Sequence, residues 1–188
     1  MLQFLAQRQE ALNRYEKALR LYKAVSDRLG EANTLQAIGD VLQFLDRRQE
    51  ALNCYEEALG LYKAVGAQLG EANTLKAIGD VLLRQKVLDE KSLQQGTEYL
   101  NTAYSLYCNI GDRYSQARIL LTSIIPLRIR QGETEKAIAA AQEAADIAEA
   151  IGYEPMQQHA ANLLAELIQP SQGKEGLADR PPDRRESL

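Results

Sequence analysis

The segment Leu42 to Val81 repeats Leu2 to Val41 with identity at 31 of 40 positions. Each of the substitutions, Gln36 to Lys76 among them, involves a polar, charged or small residue. The apolar ladder Leu12, Tyr15, Ala18, Leu19, Tyr22, Val25 returns unchanged as Leu52, Tyr55, Ala58, Leu59, Tyr62, Val65. A fixed period of this length constrains the fold more than any other feature. One unit cannot bury its apolar face alone, so units must stack and the chain must be a solenoid.

Within a unit the apolar spacing is helical. Leu52, Tyr55, Leu59 and Tyr62 step by 3, 4 and 3 along one face, and Leu35, Ile38, Val41, Leu42 and Leu45 form a second stripe. The polar link Asp46-Arg47-Arg48-Gln49 separates them. Each unit therefore reads as two antiparallel helices, and the fold class as all-α with no strand and about eight helices. Ala32, Gly39, Ala51, Ala58, Ala72 and Gly79 fall where helices must cross closely.

These residues carry a family resemblance. The order Ala32, Leu35, Ile38, Gly39, Leu42, then Ala51, Tyr55, Ala58 is similar to the tetratricopeptide repeat. The six added residues Lys63 to Gln68 and the phrase Leu29-Gly30-Glu31-Ala32-Asn33-Thr34-Leu35 resemble the elongated repeats of kinesin light chains, spindle-orientation adaptors and cyanobacterial signalling arrays. The resemblance spans residues 2 to 151 and implies a right-handed α-solenoid of antiparallel helix pairs that binds protein or peptide.

The units are expected at about 28–65, 68–110 and 113–151, after a remnant at 1–25. The third unit aligns with the second at an offset of 45, so five residues are inserted between Arg84 and Tyr99, expected in the turn. Asp112 is placed to cap the next helix, and Pro126 should kink it. A helix at 155–168 reads as a cap over the last repeat, and 169–188 as a disordered tail forming no part of the solenoid at 1–168.

Composition narrows the function. The net charge of −4 and the lack of a basic face argue against nucleic acid. No apolar run approaches the ~20 residues of a membrane span. Cys54 and Cys108 sit at unrelated repeat positions and read as reduced thiols of a cytoplasmic protein. His159 has no convergent partners, and the glycines fall singly at the repeat period. No catalytic residue, metal site or cofactor is expected.

The first helix of each pair lines the concave side in the tetratricopeptide geometry. That wall is Asn33, Gln36, Ala37, Asp40, Gln43 and Phe44, then Asn73, Lys76, Ala77, Asp80, Leu83 and Arg84, then Arg118, Leu121, Thr122, Ile125 and Arg128. Asn33 and Asn73 could grip the amides of an extended peptide, Asp40 and Asp80 favour its basic groups, and Arg84, Arg118 and Arg128 its acidic ones. The alternative is that the asparagines are solvated residues repeated by copying. The carboxylate clamp of chaperone-binding relatives is matched only loosely by Lys76 and Arg84, because Ala77 and Asp80 replace its asparagines. The chain is expected to be a non-enzymatic interaction module. A regulatory sensor array and a self-assembling structural repeat are the alternatives. The first unit keeps its second helix but little before it, so Leu2, Phe4, Leu5, Leu12, Tyr15, Leu19 and Tyr22 read as an apolar end that forms a homodimer or joins a longer array.

Overall fold

The computed structural model describes residues 2–85 and 89–168, with side chains from residue 6 onward. The expected tail at 169–188 lies outside the described residues. The helices are α1 (Leu2–Ala24), α2 (Arg28–Phe44), α3 (Arg48–Val65), α4 (Gln68–Leu83), α5 (Glu90–Ile110), α6 (Arg113–Ile119), α7 (Ile125–Arg130), α8 (Thr134–Ala150) and α9 (Glu154–Ile168). A π-helical turn, Leu120–Ile124, joins α6 to α7, so these form one continuous rod. Eight rods result, and the described residues contain no strand. Each rod packs mainly on its chain neighbours, which makes an all-α solenoid of paired helices.

Local chemistry sets the helix ends. Asp27, Asp89 and Asp112 cap α2, α5 and α6, each side chain accepting the backbone N–H three residues on. α3 and α5 stop at Gly66 and Gly111 with φ of 69° and 73°. The following residues, Ala67 and Asp112, donate their N–H back to the Tyr62 and Tyr107 carbonyls, closing the last turn. Ser26 stands where the next copy has Gly66, yet holds the same left-handed backbone at φ 57°.

The core is the two apolar stripes brought together. Ala32, Ala51, Tyr55, Ala58, Leu100, Tyr107, Ile119 and Ile125 are fully enclosed. Close crossing depends on glycine at two kinds of site. A Cβ on Gly39 would lie 2.5 Å from the Tyr55 ring, and one on Gly70 would lie 2.3 Å from the Tyr62 ring. Here glycine is the space into which the tyrosine fits, which outweighs its cost of about 1 kcal/mol relative to alanine in a helix.

Two sequence expectations change. The five-residue insertion is not confined to the turn: α5 begins at Glu90, three residues before the position that matches the start of α3 at Arg48, so part of the insertion extends the helix. Residues 86–88 lie outside the described residues. Pro126 acts through the turn before it. It has no N–H, and its ring would press on the carbonyl of Thr122 in a regular helix. The chain widens instead, and the Ile125 N–H donates to the Leu120 carbonyl five residues back.

Candidate functional site

The first helices of successive pairs, α2 and α4, bring their polar residues to one groove. A depression of about 450 Å³ is lined by Gln36, Asp40, Gln43, Phe44, Asn73, Lys76, Ala77, Asp80, Arg84 and Arg118. A second, of about 490 Å³, shares Gln36, Asp40 and Asn73 and adds Asn33, Leu29, Tyr62 and Leu69. Twelve of the seventeen expected wall residues therefore meet: Asn33, Gln36, Ala37, Asp40, Gln43, Phe44, Asn73, Lys76, Ala77, Asp80, Arg84 and Arg118.

The other five do not. Leu83, Leu121 and Ile125 are buried at 6%, 4% and 0% exposure and belong to the core. Arg128 lies outside both depressions and is ion-paired to Glu133 at 2.5 Å. Thr122 is solvent-exposed but turns its hydroxyl onto the Arg118 carbonyl at 2.8 Å. The cause for Ile125 and Arg128 is the π turn. One additional residue rotates everything after it by about 100° around the helix axis, carrying those positions off the concave face.

The floor of the groove is built by tyrosines. Tyr62 crosses from α3 and donates its hydroxyl to Asn33 Oδ1 at 2.7 Å, with Gln36 Oε1 2.9 Å away. Tyr107 does the same from α5 to Asn73 Oδ1 at 2.7 Å. Tyr55 donates to Asp40 Oδ1 at 2.7 Å and lies 3.1 Å from Gln43 Oε1. Burial is the main cause that raises all three phenols, Tyr107 to about 12, so each remains a proton donor near neutrality. With Oδ1 occupied, each asparagine has its two amide N–H donors left for the groove.

The pairing holds across levels. Asn33 and Asn73 are each met by a tyrosine of the next helix, whereas Arg118 replaces the asparagine where the matching tyrosine has become Ala148. Likewise Leu100 replaces Tyr55 at the second level, and Asp80 receives Lys76 at 2.7 Å in place of a phenol. Lys76 stands where the first copy has Gln36, so a lost phenol donor and a gained ammonium occur together. These partnerships give the asparagines a packing role that neither sequence reading contained.

Charge along the groove is uneven. Asp40 is raised by desolvation, its largest influence, against the lowering effects of the Tyr55 hydroxyl and the Lys76 charge. Arg84 and Arg118 have no carboxylate within ion-pair distance among the described residues, and the Arg118 Nε is buried without a hydrogen-bond partner. Sequence reasoning missed Arg8, whose guanidinium lies 3.1 Å from the centroid of the Phe44 ring at the groove mouth. Its signal was repetition, since Arg48 occupies the same place in the next copy.

At the N-terminal end, Leu12 is buried at 3% and Leu19 is half-buried, both turned inward. Tyr15 and Tyr22 are each 37% exposed. The side chains of Leu2, Phe4 and Leu5 lie outside the described residues. Cys54 and Cys108 are free thiols, and His159 is exposed on α9. Among the described residues no group of three or more His, Cys, Asp or Glu converges as for a metal, and no helix is long and apolar enough to cross a membrane.

Comparison with known proteins adds family and fold. No curated protein matches the sequence. Among solved structures, the chain is similar to BtubC (BKLC) from P. vanneervenii, with a TM-score of 0.67 and 12% identity. The match covers 99% of this chain and 81% of that one, and at such identity it speaks for the fold. The tetratricopeptide repeat family model matches residues 1–64. That family match takes in the first three helices, and the helices after them continue the same all-α architecture.

Proposed function

We propose that the chain is a non-enzymatic interaction module that holds an extended peptide in the groove of α2, α4 and α6. Tetratricopeptide repeats generally mediate protein–protein interaction, which sets the class of partner. The observation that carries the finer reading is a set of oriented donors that no carboxylate takes. The amide N–H groups of Asn33 and Asn73 are aimed by their tyrosines, and the Arg84 and Arg118 guanidiniums face the same depression without a carboxylate. Amide donors at successive levels suit the carbonyls of an extended backbone, and the two arginines suit an acidic side chain or a C-terminal carboxylate. Asp40, at the other end, suits a basic group on the same peptide.

Peptide display against the purified chain, followed by calorimetry on the selected sequences, tests this. Selected peptides should carry an acidic residue, and Arg84→Glu with Arg118→Glu should lower their affinity at least tenfold with unchanged helicity. Peptides that bind the double variant as well as the wild type would remove the groove from consideration.

A further inference from the structure

The edge of the solenoid formed by the turns between pairs carries a strip of exposed apolar residues, one set per repeat. Val25 and Leu29 form the first level at 73% and 46% exposure, and Val65 and Leu69 the second at 40% and 48%. The third has Tyr114 at 45%, and the fourth Ile151 and Tyr153 at 37% and 40%. Leu29 and Leu69 line one depression, and Tyr114 meets Tyr153 edge to face with centroids 5.5 Å apart, so neighbouring levels touch at both ends of the strip. Exposed apolar residues scattered singly need no explanation, but seven of the thirteen large ones exposed among the described residues fall on this one strip.

Recent copying accounts for the likeness of the first two levels and not for the third. Between the second and third units the solvent-facing Glu56, Glu57, Gly60, Lys63 and Ala64 become Asn101, Thr102, Ser105, Cys108 and Asn109. Val65 and Leu69, by contrast, become Ile110 and Tyr114 and stay large and apolar. Tyr114 is not there to fill the core, since nearly half of it remains in solvent.

We propose that this strip is an interface between two copies of the chain, packed edge to edge with the repeats running in opposite directions. A strip with one apolar knob per repeat is matched in spacing by another strip of the same pitch. Charge sets the direction. Beside each knob, the first residue of the helix runs Arg28, Gln68, Arg113, Glu154 from level one to level four. All four are exposed, and neither Arg28 nor Glu154 has an ion-pair partner among the described residues. A two-fold axis between levels two and three brings Arg28 of each copy to Glu154 of the other and Gln68 to Arg113. Parallel packing would set Arg28 against Arg28. An isologous contact of this kind closes at two copies.

Analytical ultracentrifugation of the full chain at tens of micromolar tests the interface. The wild type should sediment as a dimer, and Leu69→Glu with Tyr114→Glu as a monomer with unchanged far-UV circular dichroism. Both positions are exposed and in the first turn of a helix, where an added carboxylate is compatible with the fold. Arg28→Glu alone and Glu154→Arg alone should each weaken dimerisation at least threefold, and the two together should restore it. Tyr15→Glu, off the strip, should leave the dimer intact. A monomeric wild type, a dimer indifferent to the Leu69 and Tyr114 changes, loss of the dimer on Tyr15→Glu, or failure of the charge swap to restore it would overturn the proposal.

Discussion

Gly39 and Asp40 are adjacent and are under opposite demands. Gly39 exists to admit the Tyr55 ring, and a methyl there would overlap it at 2.5 Å. Gly39→Ala should destabilise the chain by about 1–3 kcal/mol, measured by urea unfolding, with the ring forced off its rotamer. An unchanged midpoint would show that the ring moves freely. Asp40 receives the phenol of that same ring, yet desolvation raises its pKa above 3.8. A carboxyl whose folded pKa is raised contributes stability below its unfolded pKa, and that contribution is lost as pH rises through the folded value. Asp40→Asn should therefore be more stable than the wild type at pH 7, with the difference closing below about pH 4. The asparagine keeps an Oδ1 acceptor for Tyr55 while dropping the charge. The charge is therefore a liability to the fold that a basic ligand group would relieve, as expected at a binding site. A stability difference independent of pH would assign the effect to something other than this carboxyl. Ser26 offers a separate case. It holds φ 57° where the next copy has glycine, and Ser26→Gly should raise the unfolding free energy by up to about 1 kcal/mol.

Pairs of helices show how partners are exchanged between repeats. In α2 and α3, Tyr55 serves Asp40, whereas in α4 and α5, Leu100 is silent and Lys76 serves Asp80. The exchange predicts coupling. Lys76→Gln alone leaves Asp80 with no donor, and Leu100→Tyr alone puts a phenol beside an ion pair already made. Together they rebuild the first pair's arrangement, with Gly79 beneath residue 100 as Gly39 lies beneath Tyr55. A double-mutant cycle in urea should show a favourable coupling of roughly 0.5–2 kcal/mol, and additivity would separate the two exchanges. The helices themselves were legible in the sequence because the apolar period and the Asp and Gly punctuation are local signals. The groove was legible at Asn33, Gln36, Asp40, Asn73, Lys76, Asp80, Arg84 and Arg118 because regular helices carry a face forward in register. It failed at Ile125 and Arg128, since Pro126 is visible in a sequence but the one-residue rotation it induces upstream is not. The bonds from Tyr62 to Asn33 and from Tyr107 to Asn73 span 29 and 34 residues. Such contacts depend on the angle at which helices cross, which periodicity does not contain.

Across the whole molecule, α1 and α3 form an internal control. Their apolar faces are the same six residues, from Leu12 to Val25 and from Leu52 to Val65, so intrinsic propensity and side-chain volume nearly cancel. Their surroundings differ. α3 is packed between α2 and α4, and Tyr55 and Tyr62 are buried to 0% and 2% exposure, whereas α1 packs chiefly on α2 and leaves Tyr15 and Tyr22 at 37%. In a stacked array, stability is close to a sum of unit and nearest-neighbour terms, so a helix with one neighbour opens more readily than the same helix with two. Hydrogen exchange read by mass spectrometry on peptides from these two segments should show α1 exchanging at least tenfold faster than α3. The tenfold gap corresponds to about 1.4 kcal/mol of opening free energy, less than the burial of two tyrosine rings would supply in full. The comparison also separates the places where another molecule could sit. A copy docked on the strip of Val25, Leu29 and their counterparts leaves Tyr15 uncovered and preserves the gap. A partner covering the open face of α1 would bury Tyr15 and Tyr22 and bring the two helices to equal protection.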